Sequence, residues 1–369
     1  MKANDVIEKD LIYITSNLRD EFNKLNGKNL LITGGAGFLG YYLIKSILYW
    51  NDYNKNNNSV NLYVYDNFAR GFPKWISILK SRNDINIVEH DISNPLPKNN
   101  ILFSYIIHAA SIASPIYYRL HPIETMDANV QGLRKLLDYT LKRQNTIQPV
   151  ESFLFFSTSE IYGDPTSDYI PTPETYRGNV SCTGPRACYD ESKRYGETLC
   201  VNFAKYYNLP IKIARPFNNY GPGLKINDRR VISDFARNIF ANEDIVMFSD
   251  GSPTRTFCYV ADAIVGYYKI LINGSKGEVY NIGLEKPEIS IKEFAELMIH
   301  LSKKHFGYTG KIVYKISKDQ GYLTDVPNRR CPDITKARSQ IGYSPSIDID
   351  EGLFRTMYWY RDNSNVEEE

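Results

Sequence analysis

The sequence predicts an α/β fold: a doubly wound parallel sheet with helices on both faces, followed by a smaller C-terminal α/β lobe. Three observations lead there. Short apolar runs alternate with helix-period segments from about Lys28 to Arg215, the order that parallel strands joined by crossover helices require. The first apolar run ends in the glycine cluster Gly34-Gly35-Ala36-Gly37-Phe38-Leu39-Gly40, which opens a helix. The length of 369 residues exceeds what one core ordinarily organises, so two lobes are expected.

The elements follow in order. Residues 1–26 precede the alternation. Within them Ile7, Leu11, Ile14, Leu18 and Phe22 recur at helical intervals, predicting an amphipathic helix that packs on the body or on a second subunit. Asn29 to Thr33 (NLLIT) is the first strand, and a helix through Ile44, Ile47 and Leu48 follows. The polar stretch Asn51 to Asn58 reads as a surface loop. Strands are expected at Leu62 to Tyr65, Ile85 to Val88 and Tyr105 to Ile107. From His121 to Arg143 the apolar residues Ile123, Met126, Val130, Leu133, Leu137 and Leu141 have helical spacing, as core or as a subunit contact. Then come a strand at Ser152 to Phe156, a helix at Asp190 to Tyr206 and a strand at Ile211 to Ala214. Beyond Arg215 the punctuation by Pro216, Gly221, Pro222 and Gly223 marks a boundary. The division expected is 1–26, 27–215 and 216–369, with segments of the last able to return to the second.

Composition narrows the classes of function. Lys plus Arg number 44 against 42 Asp plus Glu, so binding to nucleic acid or an anionic membrane has no electrostatic support. No run approaches the ~20 apolar residues a membrane helix needs, and acids interrupt the N-terminal apolar run, unlike a signal peptide. A cytoplasmic protein is expected. Five cysteines (Cys182, Cys188, Cys200, Cys258, Cys331) without a CxxC pair, and five histidines without ligand spacing, predict neither disulfides nor a metal site. Cys182 and Cys188 read as small packing residues, and Glu367 to Glu369 as a solvated end.

The glycine cluster satisfies G-x-G-x-x-G through Gly35, Gly37 and Gly40, and G-x-x-G-x-x-G through Gly34, Gly37 and Gly40. Placed between a strand and a helix, it lets backbone N–H groups and the helix N-terminus meet a pyrophosphate. Asp66, ending the second strand, is set to accept hydrogen bonds from the adenosine ribose and to repel a 2′-phosphate, predicting NAD on a Rossmann-type domain. Arg70 is the residue that could instead accommodate that phosphate. Asp91, after the third strand, is read either as an adenine contact or as a turn cap.

Tyr189 and Lys193, four residues apart on a helix, share a face. A neighbouring ammonium lowers the pKa of a tyrosine hydroxyl, letting it act as a base. They follow Ser157-Thr158-Ser159-Glu160 at the end of a strand, where open α/β sheets place their crevice. Thr158 can hydrogen-bond the same substrate oxygen, and Glu160 supplies a second acid/base group.

TGGAGFLG, YDN, HAAS, FSTSEIYGDP, GPRACYDESKR, ARPFNNYGP and TRTFCYVAD together resemble the extended short-chain dehydrogenase/reductases that act on nucleotide-diphosphate sugars, from about Gly27 to Arg361. ASPIYYRLHP, NDRRVISDF and DVPNRRCPDI resemble most the UDP-glucuronate decarboxylases among them. The resemblance implies a catalytic Tyr189 with Lys193, Thr158 and Glu160, and a cofactor site at Gly34, Gly37, Phe38, Leu39, Gly40, Asp66, Asn67, Asp91 and Ile92. It implies substrate contacts from Tyr118 in a substrate loop, from Arg230 to the sugar carboxylate, and from Asn218, Arg255 and Arg330 to the nucleotide and its diphosphate. It further implies tightly bound NAD regenerated in each cycle, a UDP-sugar or other NDP-sugar substrate, no metal, and a homodimer. The activity implied is decarboxylation through a 4-keto sugar; the alternatives, a 4,6-dehydratase or a 4-epimerase, share the C4 oxidation. The chain departs from the decarboxylase pattern at Tyr220-Gly221-Pro222-Gly223-Leu224, at Tyr176 to Arg186 and at Asn227-Asp228-Arg229-Arg230, where either arginine could point inward.

Overall fold

Seven strands form one parallel sheet in the computed structural model, which describes residues 1–54, 58–98, 101–316 and 324–363. Across the sheet the order is Val279–Ile282, Ile211–Pro216, Ser152–Phe156, Tyr105–His108, Asn29–Thr33, Asn61–Asp66 and Ile85–Glu89. Every neighbouring pair is parallel. The central strands are buried along their length, Ser152–Phe156 at all positions, because helices cover both faces. The strand order reverses between Asn29–Thr33 and Tyr105–His108, which opens a crevice at the carboxyl ends of the strands.

Each strand expected from the apolar runs is present within a residue or two. The helix expected at 190–206 extends over Ala187–Tyr207 and stops at Asn208, whose φ of 60° is left-handed. The 121–143 segment is interrupted: Pro122–Asp127, a wide turn at Ala128–Gly132, then Leu133–Arg143. Leu133 and Leu137 are buried, whereas Ile123 and Met126 are exposed, so only the second half serves the core.

The N-terminal segment is two helices, Ala3–Asn17 and Arg19–Leu25, broken at Leu18. All five residues of its predicted apolar stripe are buried. It packs against Phe38–Tyr53, Val260–Asn273 and Ile349–Asn363 of the same chain. Asp10, fully buried, binds it there by accepting from Tyr42, Tyr259 and Arg355.

The chain beyond Pro216 crosses between the two halves of the molecule. Val279–Ile282 adds the sheet's edge strand, and Val260–Asn273 packs on the sheet. The remainder builds small sheets at the crevice. One of them sets Arg329–Arg330 beside Thr254–Arg255 in register, so Arg330 lies opposite Arg255. Helix continues through Tyr53 into the predicted loop; Lys55 to Asn57 lie outside the described residues, as does the acidic end Glu367 to Glu369.

Candidate active site

One cavity of about 1400 Å³ opens at the sheet's switch point, and every residue assigned to the site from sequence lines it. At its floor, Gly34 has φ +73° and stands against the Ala110 backbone, where a Cβ would come within 2.5 Å of Cα. Gly40 has its helix pressed onto Gly35. A Cβ on Gly37 would meet only the Gly34 carbonyl, at 3.3 Å, so the space before the helix N-terminus stays open. Phe38 and Leu39 begin that helix. This glycine turn with its exposed N–H groups fits a pyrophosphate.

Asp66 is fixed in this turn. Its carboxylate accepts from Ala36 N at 2.9 Å and Phe68 N at 2.8 Å, which oppose the upward push of burial on its pKa. Asp91 caps the next turn, accepting from the Ser93 N–H and hydroxyl and from Asn67 Nδ2; buried Ile92 follows it. Arg70 is not turned toward Asp66. It pairs with Asp228 at 2.8 Å and lies 4.2 Å over the Tyr117 ring.

Across the cavity, Tyr189 and Lys193 project from the Ala187–Tyr207 helix. Lys193 donates to the Phe156 carbonyl at 2.8 Å, and its ammonium is 6.0 Å from the Tyr189 ring centre. Burial pushes the Tyr189 hydroxyl up to about 12, and the group that most opposes this is its hydrogen bond with Thr158, followed by the Arg230 charge among others. Burial also lowers Lys193 to about 7. The Lys193 ammonium lies within reach of the Tyr189 ring from the same helix face.

Glu160 and Arg330 meet directly in the cavity wall. Arg330 does not stand free for a diphosphate: Nη1 pairs with Glu160 Oε1, while Arg186 Nη2 pairs with Oε2. Burial pushes the Glu160 carboxyl up, yet Arg186 and Arg330 hold it down at about 2. It is an anion in a two-arginine clamp. The buried Nη2 of Arg330 retains donor capacity toward the cavity. Arg255 donates to the carbonyls of Thr254, Asn328 and Pro327; burial and then Arg330 lower it to about 9, so it stays cationic at neutral pH.

Arg230 is the inward arginine of the Asn227–Arg230 turn. Its guanidinium lies 6.0 Å from the Phe38 ring centre and acts on Tyr189, whereas Arg229 is half exposed and faces Asp234. Asn218, with φ +38°, donates to the Thr256 carbonyl. Tyr118 stacks on Tyr189, its hydroxyl buried and without a protein partner.

Arg186, Asp190 and Asp228 were not identified as site residues from sequence. Arg186 stands three residues before Tyr189, and that proximity was the one signal available. Burial, and next the Glu160 charge, push Asp190 up to about 7. Cys182 is exposed and Cys188 half-buried beside the Tyr118 carbonyl; burial pushes the Cys188 thiol up, away from nucleophile character. No group of side chains able to hold a metal occurs among the described residues.

A glycine-turn dinucleotide cradle facing a Thr–Tyr–Lys constellation across one crevice defines a Rossmann-type α/β scaffold of the short-chain dehydrogenase/reductase kind. The chain belongs to the NAD dependent epimerase/dehydratase family, whose model matches residues 30–283. It is 35% identical over 334 residues to UDP-glucuronic acid decarboxylase 1 of Xenopus tropicalis, covering 90% of this chain and 72% of that one. It is also 35% identical over 328 residues to UDP-glucuronic acid decarboxylase 5 of Arabidopsis thaliana, covering 88% and 86%. Among solved structures, an epimerase from Methanothermobacter thermautotrophicus superposes with a TM-score of 0.77 at 26% identity, covering 96% of this chain and 98% of that one. The fold is also that of a Streptomyces venezuelae dTDP-glucose 4,6-dehydratase with NAD bound, with a TM-score of 0.77 at 23% identity, covering 92% and 99%.

Proposed function

We propose that the protein is an NAD-dependent lyase that decarboxylates UDP-glucuronate to UDP-xylose through a 4-keto sugar. The observation that carries this reading is the clamp on Glu160. A 4,6-dehydratase needs a carboxyl there that can trade a proton at C5 and C6, and a carboxylate held at about 2 by Arg186 and Arg330 is poorly suited to that task. Arg230 and Arg255, which line the same cavity, provide positive charge that a sugar acid and a diphosphate call for. The relatives named as UDP-glucuronic acid decarboxylases support the same substrate.

The residues that would hold NAD are the Gly34–Gly40 turn at the pyrophosphate, Asp66 at the adenosine ribose, and Asn67, Asp91 and Ile92 around the adenine. When bound, NAD supplies the hydride exchange at the sugar C4. Tyr189 takes the C4 hydroxyl proton, assisted by Thr158. The C5 carboxylate then lies β to a ketone, so CO2 can leave while its electron pair passes to the C4 oxygen. Tyr189 and Thr158 hold that enolate oxygen, and Arg230 orients the departing carboxylate. Protonation at C5 and reduction at C4 complete the cycle with the cofactor restored, which requires that it stay bound.

A homodimer is part of the proposal, supported by the exposed Leu120, Ile123 and Met126 and by the exposed Tyr195, Val201 and Tyr206 of the Ala187–Tyr207 helix. So is a cytoplasmic location, which fits five free thiols; no described helix is long and apolar enough to cross a membrane. Incubation with NAD and UDP-glucuronate tests the activity. Released CO2 and a UDP-pentose are expected; turnover of an NDP-hexose to a 4-keto-6-deoxy product instead would assign dehydration.

A further inference from the structure

Asp228 is 3% exposed, yet it lies in the turn at the cavity rim just before the helix Val231–Phe240. Its carboxylate meets two arginines, Arg70 from a distant loop and Arg230 two residues on in the same turn. Oδ2 accepts from Arg70 Nη1 at 2.8 Å, in the loop that leaves Asp66. Oδ1 lies 3.0 Å from Arg230 Nε as an ion pair without hydrogen-bond geometry. The main chain adds to this: Ser114 Oγ donates to the Asp228 carbonyl at 2.7 Å, and Lys225 Nζ donates to the Arg70 carbonyl at 3.0 Å. The Arg70 guanidinium then lies flat on Tyr117, the neighbour of Tyr118. Three segments distant in sequence thus meet around Asp228 at the rim: the loop beyond Asp66 and the turn that carries Arg230 through its carboxylate, and the Ser114–Tyr118 stretch through its main-chain carbonyl.

A carboxylate so buried is tolerated only because both its oxygens face guanidinium groups. Removing its charge releases Arg70 and Arg230 together. We propose that Asp228 is a positioning residue that straps the cofactor loop shut through Arg70 while it aims Arg230 at the sugar, so that one side chain sets both dinucleotide retention and engagement of the substrate carboxylate. The strap also turns Arg70 away from Asp66, where it would otherwise be available to a 2′-phosphate. This deepens the NAD-dependent reading above and rests on it. It gives a structural basis for a cofactor that is kept between turnovers, because the loop cannot lift without parting the Arg70–Asp228 ion pair.

The test follows the release of NADH from the loaded full-length protein into excess NAD by stopped-flow fluorescence, for wild type, Arg70→Ala, Asp228→Asn and the double variant. Arg70 is 34% exposed, so Arg70→Ala leaves the fold intact and decides the matter even if Asp228→Asn proves unstable in thermal unfolding. Each single variant is expected to release NADH roughly tenfold faster or more, and the double variant no faster than the quicker single one, because the two groups act as a unit. Asp228→Asn, but not Arg70→Ala, is expected to lower kcat on UDP-glucuronate as well, since Arg230 pairs with Asp228 and not with Arg70; Asp228→Glu should recover part of that loss. Release at the wild-type rate in Arg70→Ala, or additive effects in the double variant, overturns the strap. A wild-type protein that holds no NADH at all overturns the NAD-dependent reading itself, which keeps the two failures apart.

Discussion

Tyr118 lies on Tyr189 with ring centres 5.0 Å apart and planes 6° from parallel. The stack fixes the ring of the proposed base from one side, and Thr158 holds its hydroxyl from the other. Because the Tyr118 hydroxyl is buried in the cavity wall with no protein partner, its two halves have separable roles. Tyr118→Phe keeps the stack and is expected to raise KM with little change in kcat. Tyr118→Ala removes the stack and is expected to lower kcat about 10–100-fold through misplacement of Tyr189. Steady-state kinetics of both variants checks this, with Tyr189→Phe as the reference that loses about 10²–10⁴-fold.

Removing the Glu160 charge leaves Arg186, Arg255 and Arg330 with less to balance them. Glu160→Gln is expected to destabilise the fold by about 3–5 kcal/mol, as for a buried ion pair that loses one member. UDP should recover more stability in this variant than in wild type, because a diphosphate replaces the missing negative charge. Thermal unfolding with and without UDP measures both effects.

Asp190 carries a pH signature. Its pKa rises from 3.8 to about 7 on folding, so between these values the folded protein keeps a proton that the unfolded chain has released. Its contribution to stability is therefore fully present below about pH 4 and is lost as pH rises through 7. Asp190→Asn should remove this dependence, and its stability relative to wild type should climb from pH 4 to 7 and then level off. Denaturant midpoints measured across that range are the check.

Asp10 joins the N-terminal helices to the body through Tyr42, Tyr259 and Arg355, the latter two at 2.6 Å. Asp10→Ala is expected to cost about 3 kcal/mol, the low end for breaking a buried pair, because Arg355 keeps Glu351. The loss should appear in global unfolding and in faster hydrogen exchange of residues 3–25, with the glycine turn unaffected.

Local pattern made much of this protein legible. The strands, the glycine turn, Asp66 at a strand end and the Tyr189–Lys193 pair each depend on residues close in the chain, whose spacing alone dictates strand, turn or shared helical face. The buried stripe of the N-terminal segment was readable for the same reason, but its break at Leu18 was not, since packing against three helices decides where it bends. The wide turn at Ala128–Gly132 escaped periodicity likewise: Gly132 sits against Ile92, a contact made by a residue 40 positions away.

The sequence by itself determined which chemistry-bearing side chains exist and where backbone geometry places them on strand ends and helix faces. Only the tertiary structure decided what each charge is paired with. Glu160 meets Arg330 170 residues away, and Arg70 meets Asp228 158 residues away, and no spacing rule spans such distances. In a buried crevice the nearest opposite charge governs whether a carboxyl moves protons or stands as a fixed anion, so the working state of Glu160, Arg330 and Tyr189 was settled by folding and not by motif.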